Sequence, residues 1–237
     1  MLTPSSGERV FMASVTWLGH GSFRLDTAEG KRVYIDPWLS SPTTPDSEKE
    51  PERADVIAVT HGHGDHVADV ASVQQKTGAT VLGMLELMGW LTKNGVPEDK
   101  VIPYNKGGTV EVAGVRFTLT HAFHSSSAPD GTYVGEPTGF VVEADGRRVY
   151  FAGDTNVFGD MALIARLYEP AVAVLPIGDY YTMGVQEAAL ALELLGNPRC
   201  LPGHWGTFPI LTGTPAALAE LTSAQVEQWQ PGDTVTL

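Results

Sequence analysis

THGHGDH, residues Thr60 to His66, sets three imidazoles and a carboxylate close together in a chain that has only seven histidines among 237 residues. Packing does not account for such a cluster, because buried polar groups are costly without partners. Metal binding does account for it. Neutral imidazole and carboxylate ligands suit Zn²⁺, Mn²⁺ or Fe²⁺, and ligand type alone does not choose among them. Gly62 and Gly64 are expected to let the backbone turn tightly, so that His61 and His63 face one point while Asp65 and His66 face a neighbouring one. That geometry suits two ions rather than one.

Outward from this segment, the same pattern recurs. VIAVT runs into His61, VYID ends in Asp36, FTLTHAF leads to His124, VYFAG to Asp154, VAVLPIG to Asp179 and CLPG to His204. Short β-branched runs read as strands. Strands that deliver polar residues at their ends gather them along one rim of a sheet assembly, on loops held by a rigid scaffold. Helical spacing is found in VADVASVQQKTG, MLELMGWLTKNG, DMALIARLYE, VQEAALALELLG and TPAALAELTSAQVEQW, several of which end at Gly or Asn. Strands and helices alternate loosely, so the expected class is α/β, as a single domain over residues 12–237. MLTPSSGERVF, residues 1–11, is expected to be a flexible extension, with Met12 an alternative start. Ser40 to Asp55, SSPTTPDSEKEPERAD, is too short to separate domains and reads as a surface flap.

Composition narrows the partners. A net charge of −13 with no basic run argues against a long nucleic-acid partner, and a small-molecule substrate is expected instead. The single cysteine, Cys200, excludes an intramolecular disulfide and leaves any metal to His and carboxylates. Cys200 lies in an apolar strand and is expected to be buried and inert. No apolar run approaches the ~20 residues that span a bilayer, and no leader pattern opens the sequence. A cytoplasmic protein without membrane contact is the expectation.

His61-x-His63-x-Asp65-His66, followed by His124, Asp154 and His204, resembles the metallo-β-lactamase superfamily signature in order and spacing. TWLGHGSF, DPWL, AFHSSS, AGDTNVFGDM, LPIGDYYTMG and PGHWGTFP resemble, within it, a subfamily of small bacterial metal-dependent hydrolases related to L-ascorbate-6-phosphate lactonase. The likeness spans Val15 to about Phe208. It implies a four-layer αββα sandwich, two mixed β-sheets with helices on the outer faces. It also implies two divalent ions, Zn²⁺ or Mn²⁺ before Fe²⁺. His61, His63 and His124 would hold one, Asp65, His66 and His204 the other, and Asp154 would bridge them. A hydroxide touching both ions would then cleave an ester, lactone or phosphodiester bond of a small anionic metabolite, with Asp65 fixing its direction of attack.

Other residues carry alternatives. His121 would replace His124 as ligand if its strand took the other register, although the resemblance places the ligand next to the Ser run. His20 is expected near the site, orienting substrate or protonating the leaving group. Asp36 is either the start of an Asp-Pro turn or the partner of a ligand imidazole. Ser125, Ser126, Asp179, Tyr180, Tyr181 and Met183 are expected to contact substrate, whereas Trp38 and Trp205 read as packing. A nucleic-acid or nucleotide phosphodiesterase is the runner-up. A di-iron redox enzyme is disfavoured because such relatives usually carry Glu where His63 stands and depend on a flavin domain. A metal-binding scaffold would tolerate a missing ligand, and none is missing. The resemblance leaves homo-oligomerisation open.

Overall fold

The computed structural model describes residues 12–237, so the expected extension at residues 1–11 lies outside the described residues. The chain starts as an antiparallel meander, β1 (Ser14–Gly19), β2 (Ser22–Asp26) and β3 (Arg32–Ile35). Three strands then add in parallel beside β3, namely β4 (Val56–Val59), β5 (Thr80–Met84) and β6 (Val101–Tyr104). The second half follows the same plan. A meander of β7 (Thr109–Val112), β8 (Val115–His121), β9 (Thr138–Ala144) and β10 (Arg147–Phe151) is extended in parallel by β11 (Val172–Pro176) and β12 (Arg199–Gly203). The last strand, β13 (Thr234–Thr236), returns to pair antiparallel with β1. The sheet orders are β13-β1-β2-β3-β4-β5-β6 and β12-β11-β10-β9-β8-β7.

Side-chain alternation sets the layers. In β4, Val56 and Ala58 join the inter-sheet core with Phe117, Phe140 and Phe151, while Ile57 and Val59 enter a second apolar cluster. That cluster includes residues of the short α1 (Gly64–Val67), of α2 (Val70–Thr77) and of α3 (Leu85–Lys93). In β11, Val172 and Val174 point inward, and Ala173 and Leu175 meet residues of α4 (Met161–Tyr168), α5 (Val185–Leu194) and α6 (Pro215–Ala219). Burial on both faces is why these runs read as continuously apolar rather than alternating. The result is the expected αββα arrangement of two mixed sheets. No helix among the described residues is long and apolar enough to cross a membrane.

Strand direction positions the site. β1, β3 and β4 share a direction in one sheet, and β8, β10, β11 and β12 do so in the other. Their C-terminal ends therefore fall along one edge of each sheet. Backbone hydrogen bonds join the two edges there, from His204 N–H to His20 O at 2.9 Å and from Thr138 N–H to Thr60 O at 3.0 Å.

Four segments differ from expectation. β6 and β7 escaped reading as strands because they lie at sheet edges, only partly covered, and Pro103 in β6 lacks a ladder donor, which an edge strand tolerates. The helix expected over residues 214–229 stops at Ala219. Beyond it Val226 forms a parallel bridge with Cys200, and Trp229 is buried with its indole N–H donating to Pro202 O at 2.9 Å, so contacts along β12 override helical propensity. The Ser40–Asp55 stretch is tethered rather than a free flap, with Glu48 ion-paired to Arg24.

Candidate metal centre

The residues after β4 reach the site in two backbone states. His61 and His63 lie on chain that leaves the strand extended, where residues two apart share a face, and α1 begins at Gly64, so Asp65 and His66 project from a helical turn. Neither Gly62 nor Gly64 has a positive φ. Gly62 is required instead by close approach, since a Cβ there would overlap Val134 Cγ2. The tight-turn role expected for the glycines is thus replaced by packing at Gly62, while Gly64 has room for a side chain, its nearest neighbour being Pro129 Cγ at 3.7 Å.

Two groups of ligating atoms converge. His61, His63 and His124 each offer an atom within 4.8 Å of the others, with His61 Nε2 3.1 Å from His63 Nδ1 and His124 Nε2 3.3 Å from the same atom. Nitrogens bound at about 2.0–2.1 Å to one tetrahedral ion stand about 3.3 Å apart, so this spacing fits an ion. Asp65, His66 and His204 form the second group together with His20. Asp154 lies between the groups, its Oδ2 3.9 Å from His61 Nε2 and 3.7 Å from His124 Nε2 on one side, 3.3 Å from His66 Nε2 and 3.2 Å from His204 Nε2 on the other. His66 Nε2 is buried without a hydrogen-bond partner, as a ligand atom would be in the absence of its ion. His121, the last residue of β8, is exposed and stands outside both groups.

A buried network orients two of these imidazoles. Asp36, 1% exposed, accepts from His66 Nδ1 at 2.9 Å, from Thr60 Oγ1 at 2.6 Å and from Thr60 N–H at 2.7 Å. The Thr60 hydroxyl, having donated to Asp36, accepts from His61 Nδ1 at 3.0 Å. Each imidazole is thereby protonated on the nitrogen away from the centre, leaving Nε2 as the ligating atom. Asp36 reaches both groups in this way, directly through His66 and through Thr60 to His61. His20 plays a related part: its Nε2 meets Asp65 Oδ2 and its Nδ1 meets Thr207 Oγ1, each at 2.9 Å. His20, Asp36 and His204, each next after a strand, all adopt left-handed φ of 48–52°. Such conformations concentrate at functional sites.

Charge is divided unevenly between the groups. Burial lowers the pKa of His61, His63 and His124, favouring the neutral, metal-ready form. Burial, the largest single influence, acts the same way on His66 and His204, but the carboxylates together outweigh it, Asp154 first, with Asp36 and Asp65 at His66 and Asp65 at His204, so His66 is raised well above its ordinary value and His204 to about 9. Burial pushes the Asp154 carboxyl up, yet His204 and His66 hold it well below the usual range. In the metal-free protein the second group is a buried ion cluster, and an entering dication displaces its protons.

An open cleft of roughly 900 Å³, including its solvent-filled mouth, exposes the centre. Besides ligating residues its walls are His20, Trp38, Ser125, Tyr181 and Phe208. Ser125 Oγ lies 3.2 Å from His63 Nε2. Several residues expected at substrate lie elsewhere. Ser126 is buried and accepts from Gly62 N–H at 3.1 Å, pinning the loop. Met183 is fully buried in the core outside the second sheet, which corrects its expected role. Asp179 and Tyr180 form a left-handed turn whose side chains are absent from the cleft wall, as is all of Ser40–Asp55. Trp38, expected to be packing, is a wall residue, and Phe208 and Thr207 were not singled out by the sequence. Their signal is proximity to Asp36 and His204 on the same loops, within DPWL and PGHWGTFP. Trp205 packs with its ring centroid 5.2 Å from that of Trp17.

A family model described as a beta-lactamase superfamily domain matches residues 31–205. A UPF0173 metal-dependent hydrolase from Herpetosiphon aurantiacus is 48% identical over 234 residues, covering 94% of this chain and 97% of that protein. Igni18, a metallo hydrolase from Ignicoccus hospitalis, superposes with a TM-score of 0.83 at 35% identity, over 95% of this chain and 98% of its own. The metallo-beta-lactamase fold protein YhfI from Bacillus subtilis shares the fold with a TM-score of 0.71 at 13% identity, over 95% of this chain and 99% of its own.

Proposed function

The chain belongs to the metallo-β-lactamase superfamily of metal-dependent hydrolases, and from that premise we propose that it cleaves an ester or lactone bond of a small molecule, using water activated between two divalent metal ions, Zn²⁺ or Mn²⁺. The observation that carries this reading is Asp154 Oδ2, set 3.2–3.9 Å from imidazole nitrogens of both groups. A carboxylate so placed can hold two dications at the roughly 3.5–4 Å spacing of hydrolytic two-metal sites.

His61, His63 and His124 would hold one ion, Asp65, His66 and His204 the other, and Asp154 would touch both. Bound there, the ions supply a water that ionises near neutral pH and polarise the bond under attack. Asp36 and Thr60 keep His66 and His61 in the tautomers that present Nε2. His20 holds Asp65 by a 2.9 Å contact. With both ring nitrogens engaged and burial pulling its pKa down to about 4, His20 is a positioning residue for Asp65 rather than the donor of the leaving-group proton.

The walls favour an acyl over a phosphoryl substrate. Among the described residues the cleft lining includes neither Lys nor Arg, the side chains that recognise phosphate by charge-assisted hydrogen bonds. The same absence weakens the expectation of an anionic metabolite. The test is a panel of lactones, esters, thioesters, phosphodiesters and β-lactams with protein stripped of metal and reloaded with Zn²⁺ or Mn²⁺, alongside elemental analysis. Metal-dependent turnover of esters or lactones at about two ions per chain is expected. Turnover confined to phosphodiesters, or full activity at one ion per chain, refutes the reading.

A further inference from the structure

The cleft has three aromatic side chains that metal binding does not explain. Trp38, Phe208 and Tyr181 face it from three different loops, after β3, β12 and β11 respectively. Phe208 is 39% exposed and Tyr181 57% exposed, so much of their aromatic surface meets solvent at the mouth of the site. Trp38 and Phe208 stand together, ring centroids 6.3 Å apart, and both pack against His20, at 5.3 and 5.8 Å. His20 in turn lies 3.9 Å from His204, ring centre to ring centre. The aromatic wall is therefore anchored beside the Asp65, His66 and His204 group.

The chemistry of this wall is narrow. The His20 nitrogens are taken by Thr207 and Asp65, so the imidazole backing the wall has no free donor for a polar ligand. Neither Lys nor Arg lies among the lining residues. With ions bound, positive charge is confined to the metals, where the reacting bond must sit. Exposed aromatic faces beside that point gain by covering apolar surface and by ring stacking.

Resting on the ester or lactone reading above, we infer that Trp38, Phe208 and Tyr181 form the specificity subsite, and that it takes an uncharged apolar group, preferentially aryl, attached next to the scissile carbonyl. A substrate with a carboxylate or phosphate in that position would lose its hydration and meet no Lys or Arg, only the Tyr181 hydroxyl and the Trp38 indole N–H as neutral donors.

Metal-loaded protein offered methyl phenylacetate, methyl acetate and monomethyl succinate, with hydrolysis followed as proton release at constant pH, should show the highest kcat/KM for the phenylacetate and the lowest for the succinate. Phe208→Ala and Tyr181→Ala alter exposed side chains and are expected to fold. Each should lower the phenylacetate-to-acetate ratio of kcat/KM roughly 2- to 10-fold, the range of a single aromatic contact. Calorimetric binding of 2-phenylacetamide gives a readout independent of turnover, and its Kd should rise by a similar factor in both variants. A preference for succinate, or ratios and Kd unchanged in both variants, overturns the subsite. If none of the esters is turned over while 2-phenylacetamide binds wild type and is weakened by both substitutions, the ester reading fails and the subsite stands.

Discussion

Asp36→Asn tests the link between the two groups of ligands with almost no change of shape. Asn tolerates the left-handed φ of 49° at this position, so the backbone is not the variable. The carboxylate accepts three hydrogen bonds, from His66 Nδ1, Thr60 Oγ1 and Thr60 N–H. An amide whose oxygen stays on Thr60 N–H turns its NH₂ toward His66 Nδ1 and Thr60 Oγ1. His66 must then accept at Nδ1 and carry its proton on Nε2, the atom 3.3 Å from Asp154 Oδ2. A flipped amide opposes donor to donor at Thr60 N–H instead, at the ~1–3 kcal/mol cost of an unsatisfied buried group. Metal affinity is expected to fall about 10- to 100-fold, or ~1.4–2.7 kcal/mol, at the ion held by His66. The His61, His63 and His124 group should weaken less, because it is reached only through the rotatable Thr60 hydroxyl. Zinc titration of chelator-stripped protein against a competing dye resolves the two sites, and far-UV circular dichroism establishes folding. Two wild-type affinities in the folded variant refute the tautomer argument, and selective loss of the other ion refutes the division into groups.

Asp154→Ala removes the carboxylate between the groups, so elemental analysis should find well under two ions per chain and activity should be lost, whereas full metal content and activity would show that Asp154 does not bridge. In metal-free protein, the raised pKa values of His66 and His204 contribute stability that is complete below about 6.5, their unfolded value, and is lost as pH rises through the raised values, which for His204 is about 9. His20, lowered to about 4, and His61, also lowered, contribute stability that is complete above about 6.5 and is lost as pH falls. The metal-free melting temperature should therefore peak near pH 6.5, and bound metal should flatten the alkaline limb. A metal-free curve that still rises from pH 7 to 9 contradicts this. Met183→Ala should cost ~2–5 kcal/mol in denaturant unfolding, as expected of a buried methionine, with KM for the ester unchanged. A raised KM at wild-type stability would return Met183 to the substrate site.

The donor types, their chain order and their strand-end positions are written in the sequence. Apolar runs fix the strands by local pattern, and a dense cluster of His and Asp has few uses other than a metal. THGHGDH carries its two orientations locally, in an extended stretch followed by a helical turn. What the tertiary structure decided concerns residues brought together from different strands. His124 rather than His121 stands beside His63, because β8 ends three residues before the chain reaches the centre. Asp36 proved to be a hub rather than only a turn residue, since Thr60 and His66 close over it once β3 and β4 pair in parallel. Met183 sank into the core while Trp38 and Phe208 came to the cleft. A sequence pattern reports whether a side chain is apolar, but which apolar side chains remain uncovered depends on how the loops of two sheets meet, and that is set by the packing between the sheets.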